Sequence, residues 1–121
     1  MTVIDATAHD LPAAPAAVTW DLTAGIARVV VRGTFSTTVS AMAREALLDA
    51  CEQLPAALEL VIEATVDPAD ADELRHLVDV AQRRCWAASC RLEVTALDPG
   101  ACEALAAAGI WPGAGARSGC R

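Results

Sequence analysis

The sequence predicts a single α/β domain with a mixed four-stranded sheet, in which an antiparallel hairpin is followed by parallel strands joined through crossover helices. Three observations predict it: two strand-like runs flank a short turn near the start, a β-branched run lies between two amphipathic helical patterns, and strands and helices alternate afterwards. The order β-β-α-β-α-β-α implies right-handed crossovers. A chain of 121 residues is long enough to bury one core without metals or disulfides.

The first three elements are a hairpin and a helix. Residues 18–22 and 26–32 are rich in β-formers and flank the turn Thr23-Ala-Gly25. Residues 37–54 repeat apolar side chains at helical spacing, with Ser40 as a candidate N-cap and Pro55 just beyond the end. These signals predict antiparallel strands followed by an amphipathic helix.

The second half alternates strand and helix. Residues 58–66 form a largely β-branched run, which is typical of a strand covered on both faces. A helix is predicted from about residue 70 to 88, and a short strand at 90–96. Asp98 and Pro99 occupy favoured N-cap and N1 positions for a third helix, which Gly109 ends.

The two ends of the chain lack periodicity. Residues 1–16 and 112–121 are therefore predicted to be a flexible lead-in and tail around a domain at 17–111.

The first residues do not resemble a secretory signal, and no apolar run reaches the ~20 residues of a membrane span, so we expect a cytoplasmic protein without membrane insertion. The cysteines are expected to be reduced thiols.

Charge and motifs exclude several function classes. The net charge of −7 and the absence of Lys disfavour nucleic acid and anionic lipid as partners. No nucleophile elbow, phosphate loop or dinucleotide fingerprint is present, and His76 is explained by an ion pair with Asp72 or Glu73 on the helix surface. We therefore expect no catalytic residue and no cofactor.

Asp70, Asp72 and Glu73 open the second predicted helix. Carboxylates in a first turn offset the partial positive charge of the helix start, which is a sufficient structural explanation. A metal site is disfavoured because Asp70 and Asp72 point about 200° apart on a helix. The functional alternative is a fixed negative patch presented to a partner protein.

Several segments resemble the STAS domain, the fold of bacterial anti-sigma factor antagonists. Residues 92–110 resemble the family's last strand, its proline-led helix and its terminal Gly-Ile, and Val29-Val-Val-Arg-Gly33 is similar to its second strand. The resemblance covers about residues 18–111. It implies an STAS-like sheet and a non-enzymatic role in protein binding.

The family's signature, Asp-Ser-Ser-Gly-Leu, carries a serine that a partner kinase phosphorylates. Aligned on Leu74, Ala71 takes the position of that serine, Asp72 the second serine, and Glu73 the glycine. Neither of the two serine positions, Ala71 and Asp72, bears a hydroxyl, so the resemblance implies a member without the phosphorylation switch. The family's Gly-Glu-Leu-Asp motif is likewise reduced to Gly33-Thr-Phe-Ser36.

The resemblance implies an anti-sigma factor or a related kinase-fold protein as partner, in transcriptional control by partner switching. The fixed carboxylates would either prevent binding to a partner that avoids acidic surfaces or select one with a basic surface. A homodimer is compatible with the sequence, and the alternatives are an accessory subunit of a scaffold or transporter, or a small-ligand sensor. The expected partner-binding residues are Phe35, Ser36, Thr65, Asp67, Asp70, Ala71, Asp72, Glu73 and Arg75.

Overall fold

A computed structural model describes residues 17–107. The predictions for residues 1–16 and 112–121, and for Gly109 as a helix end, lie outside this range. The elements in chain order are β1 (Ala17–Thr23), β2 (Ile26–Arg32), α1 (Thr37–Cys51), β3 (Ala57–Ile62), a 3₁₀ turn (Pro68–Asp70), α2 (Ala71–Ala87), β4 (Arg91–Ala96) and α3 (Pro99–Ala107). The predicted element order is confirmed.

The four strands form one mixed sheet in the order β1-β2-β3-β4. The pair β1 and β2 is antiparallel, whereas β2 with β3 and β3 with β4 are parallel. The hairpin closes through Ala24 and Gly25, whose φ angles of 55° and 80° are those of a type I′ turn. The predicted fold class is therefore confirmed.

The helices form one layer, because α1 packs against α2 and α2 packs against α3. Side chains from alternate strand positions, such as Val29, Leu60 and Val94, form the core with the apolar sides of these helices. The other face of the sheet carries the ion pairs Arg28–Glu59 and Arg32–Glu63, each at 3.0 Å. The expectation that β3 is covered on both faces was therefore wrong, and the strand ends at Ile62 instead of residue 66.

The helix starts are only partly as expected. Ser36 is the N-cap of α1, and its hydroxyl accepts a hydrogen bond from the Val39 N–H at 3.2 Å. The interpretation of Ser40 as N-cap was wrong, since Ser40 is a fully buried residue inside the helix. Asp98 does cap α3 through the Ala101 N–H at 3.1 Å. Within the described range, no helix has the length and apolar character needed to cross a membrane.

Candidate functional site

The two segments expected to bind a partner meet at the carboxyl ends of the parallel strands. The Thr65 N–H donates to the Gly33 carbonyl, and the Phe35 N–H donates to the Thr65 carbonyl, both at 2.9 Å. These bonds extend the pairing of β2 and β3 past both strand ends through a parallel bridge between Thr34 and Thr65. The loop after β2 and the loop after β3 therefore form one surface.

A short 3₁₀ turn leads from this surface into α2. The exposed Asp67 caps the turn, and its carboxylate accepts the Ala69 N–H at 3.0 Å. Asp70 stands just before α2 and makes no side-chain cap bond. Ala71, at the position where the resemblance predicts a phosphorylatable serine, is half-buried in the first turn.

The three carboxylates at the start of α2 do not act as one patch. Asp72 has 87% of its side chain exposed and pairs with Arg75. Glu73 instead points toward α1, where its Oε2 accepts the Ser40 hydroxyl at 2.9 Å and lies 3.7 Å from Nη2 of Arg44. Around the start of α2, Asp67 and Asp72 carry exposed negative charge, while Glu73 connects α2 to α1.

Phe35 and Ser36 lie beside Thr65, and both side chains already make contacts within the domain. Phe35 is 1% exposed and belongs to the hydrophobic core, and the Ser36 hydroxyl is used in the cap of α1. The interpretation of Phe35 as a contact residue is corrected on this ground. Its backbone, through the bond to Thr65, contributes to the shape of the surface instead.

Asp98 and Gly100 hold the loop after β3 in place, a role that the sequence did not reveal. Oδ2 of Asp98 accepts both the Ala101 N–H and the Val66 N–H, at 3.1 and 3.0 Å. A Cβ at Gly100 would lie 2.3 Å from the Val66 carbonyl oxygen, so only glycine allows α3 to approach the loop this closely. The cap motif was visible in the sequence, but its second acceptor role was not.

A cleft of about 410 Å³ opens between the starts of α2 and α3. Ala71 and Arg75 line one wall, and Gly100, Glu103 and Ala104 are on the other. The small side chains leave room there for an apolar side chain of a partner. Arg75 and Glu103 are the charged side chains at the rim. The predicted residues Ala71 and Arg75 thus lie at a concave feature of the surface.

Trp86 and His76 are further exposed side chains of α2, and neither is arranged for chemistry with the surface described above. Trp86, with 88% of its surface exposed, is 15 residues beyond Ala71 along α2, or about 22 Å at the rise of an α-helix. His76 is exposed, and Asp72 and Glu73 pair with other side chains, so the expected ion pair with His76 is not formed. Among residues 17–107, no group of three or more His, Cys, Asp or Glu side chains is placed to hold a metal ion.

Three cysteines adjoin one another at the far ends of α1 and α2 and the start of β4. Cys51, Cys85 and Cys90 are free thiols, as expected, whereas Cys102 is disulfide-bonded, which the sequence did not lead us to expect. Burial raises the pKa of Cys85, and the neighbouring Cys90 and Cys51 raise it further. Burial also raises the pKa of Cys51. Both raised pKa values favour the protonated thiol, which is a poor nucleophile.

Comparisons with known proteins identify no relative. No family model matches the chain, and neither the curated proteins nor the solved structures contain a significant match.

Proposed function

We propose that this protein is a non-enzymatic binding module that docks a partner protein through the surface at the start of α2. The observation that carries this proposal is the set of backbone bonds at Thr65, which unites the loops after β2 and β3 beside the cleft between α2 and α3. A fixed loop surface next to a concave apolar feature is typical of protein-binding sites.

The chemistry of this surface favours a partner with basic groups around an apolar anchor. Asp67, Asp72 and Glu103 are exposed carboxylates around the Ala-lined cleft, which would accept the anchor. Charge complementarity of this kind increases association rate and selects partners. The resemblance to anti-sigma factor antagonists directs the search to an anti-sigma factor or another kinase-fold protein.

The proposed module is not switched by serine phosphorylation at this surface. Ala71 carries no hydroxyl at the position where the resemblance places the phosphorylated serine. The charge that phosphate would add to such a surface, roughly −1.5 to −2, is replaced only in part by Asp72. Binding is therefore expected to be constitutive with respect to ATP.

The test measures binding of the full chain to purified anti-sigma and kinase-fold proteins from the same genome, by biolayer interferometry. Asp72→Lys is expected to weaken binding about tenfold, which corresponds to about 1.4 kcal/mol. Asp49→Lys, which makes the same charge change at an exposed site on α1, is the matched control and should leave affinity within about twofold.

Two results would count against the proposal. If no member of the panel binds, the proposed partner class is wrong. If the two Lys variants weaken binding equally, the proposed docking surface is wrong. Whether the phosphorylation switch is absent is tested by incubating the protein with ATP and any kinase-fold protein that binds it. The intact mass of the protein is then measured. Stoichiometric phosphate on the protein would contradict a constitutive module.

A further inference from the structure

Within residues 17–107, strand β1 has a row of backbone groups without hydrogen-bond partners at one edge of the sheet. The two-residue turn makes Thr23 and Ile26 a hydrogen-bonded pair, so alternate residues of β1 direct their N–H and C=O groups toward β2. The groups of Val18, Trp20 and Leu22 point the other way. Among residues 17–107, no backbone partner is found for them.

In the part of the chain that the structure describes, this edge lacks the features that normally prevent a strand from pairing with another chain. Such edges are protected by Lys, Pro, a bulge or very short length. The β1 strand has seven residues in continuous register with β2, without a proline or a bulge, and Asp21 is its one charged residue. Leu22 has 42% of its surface exposed. The strand is therefore a template for a further strand.

We propose that β1 pairs antiparallel with β1 of a second copy of this chain, about a two-fold axis at Trp20. In this register Trp20 lies opposite Trp20 of the second copy, and Val18 lies opposite its Leu22. These are the residues whose backbone groups face outward, so each such pair exchanges two hydrogen bonds. The two sheets become one continuous sheet across the axis.

The side chains of β1 are complementary to themselves in this register. Asp21 falls opposite Thr19 of the second copy, so a carboxylate meets a hydroxyl donor and two like charges do not meet. Val18 with Leu22 and Trp20 with Trp20 are apolar pairs. A two-fold axis at Asp21 would set two carboxylates against each other and would require backbone groups that already bond to β2.

Helix α1 also fits the proposed arrangement. It packs over both β1 and β2, so its axis lies close to the sheet edge. With neighbouring strands about 4.8 Å apart, the two α1 axes come within roughly 10 Å of each other, an ordinary distance for packed helices. Met42 has 42% of its surface exposed. It lies on the side of α1 opposite to Ser40 and Arg44, which contact α2, and so adds apolar area toward the β1 edge.

Charge opposes this dimer and provides a diagnostic. Each copy carries a net charge of −7, so the two copies repel each other over distances that salt screens. The apolar and backbone contacts at β1 contain no interchain ion pair to lose. Added salt should therefore strengthen the dimer, whereas an interface held by ion pairs would weaken.

The first test is sedimentation of the full chain with a matched pair of variants. Leu22→Lys places a charge in the proposed contact, and we expect it to weaken dimerisation by at least about tenfold. Leu97→Lys makes the same change at an exposed leucine that follows β4, the strand at the other edge of the sheet. It should change the dimerisation affinity by less than about twofold. A protein that stays monomeric at roughly millimolar concentration, the weakest relevant affinity range, would overturn the proposal. So would equal weakening by the two variants.

Amide hydrogen exchange provides a residue-level test. The amides of Thr19, Asp21 and Thr23 bond to β2 and should be protected at every concentration, while those of Val18, Trp20 and Leu22 should gain protection only as the dimer forms. Protection of the second set at all concentrations would mean that residues of the same chain cover the edge. That result, or a dimer in which the second set exchanges freely, would overturn the proposal.

Discussion

The Ser40 hydroxyl donates a 2.9 Å hydrogen bond to Oε2 of Glu73 and thereby links the buried side of α1 to the first turn of α2. Arg44 adds a guanidinium 3.7 Å from the same oxygen, while its own Nε is buried and has no hydrogen-bond partner among residues 17–107. This link fixes the direction in which α2 leaves the candidate docking surface. The carboxylate of Glu73 thus has an internal structural role.

We expect Ser40→Ala to lower the free energy of unfolding by about 1 kcal/mol, because Glu73 loses a donor at a partly buried position. The side chain of Glu73 is 27% exposed, so water replaces part of the lost bond and holds the cost near the lower end of the usual range. Urea unfolding measures the change. Thr38→Ala, at an exposed position of the same helix, is the control for the helix-propensity gain alone. Equal stability of the two variants would contradict a role for the Ser40 hydroxyl.

Asp98→Ala should cost about 2 kcal/mol, since one carboxylate oxygen serves the cap of α3 and also the Val66 N–H. Asp67→Ala removes one acceptor from an exposed turn and should cost no more than about 1 kcal/mol. Thermal unfolding compares the two variants. Faster exchange of the Val66 amide in Asp98→Ala is expected as well, and unchanged exchange there would show that the loop is held by other contacts.

Gly100→Ala reverses the usual effect of replacing glycine in a helix. Helix propensity alone would favour alanine by about 1 kcal/mol, but the new Cβ would lie 2.3 Å from the Val66 carbonyl oxygen. We expect net destabilisation of at least about 1 kcal/mol and chemical-shift changes in the loop after β3. A more stable Gly100→Ala protein would mean that α3 does not pack this closely.

Stability should fall above about pH 9, and cysteine should be the cause. The chain contains no Lys and no Tyr, so the alkaline range is free of their titration. Burial raises the pKa of Cys85 in the folded state above its usual value, so the unfolded chain releases this proton first as pH rises. The stabilisation is complete below the unfolded pKa, and it declines by about 1.4 kcal/mol per pH unit above it.

The measurement is urea unfolding at a series of pH values from about 7 to 11. Cys85→Ala should be less stable at neutral pH because it leaves a cavity, and its alkaline slope should be shallower than that of the wild type. Parallel slopes for the two proteins would assign the alkaline loss of stability to other groups.

Much of the fold was predictable because its signals are local. The alternation of β-branched and helical patterns, the turn at Ala24-Gly25 and the Asp98-Pro99 helix start each depend on a few neighbouring residues and on their own backbone geometry. Ser36 was missed as the cap of α1 because two serines near the helix start carry the same local signal. Burial against Glu73 distinguished Ser40 from Ser36.

The candidate site was predictable as a region and not as a set of exposed side chains. Parallel strands bring their carboxyl ends to one edge, so the meeting of the loops near Ser36 and Thr65 follows from the element order. The burial of Phe35 and the inward direction of Glu73 depend on segments more than 25 residues away in sequence. Periodicity within a single element contains no information about such contacts.

By itself, the sequence determined the order of elements, the mixed sheet, the helix start at Asp98 and the absence of a hydroxyl at Ala71. Only the tertiary structure decided that all three helices cover one face of the sheet, that Glu73 joins α1 to α2, and that Asp98 also holds the loop at Val66. The physical reason is that backbone preference acts over a few residues, whereas the partner of a side chain is chosen when distant segments pack together.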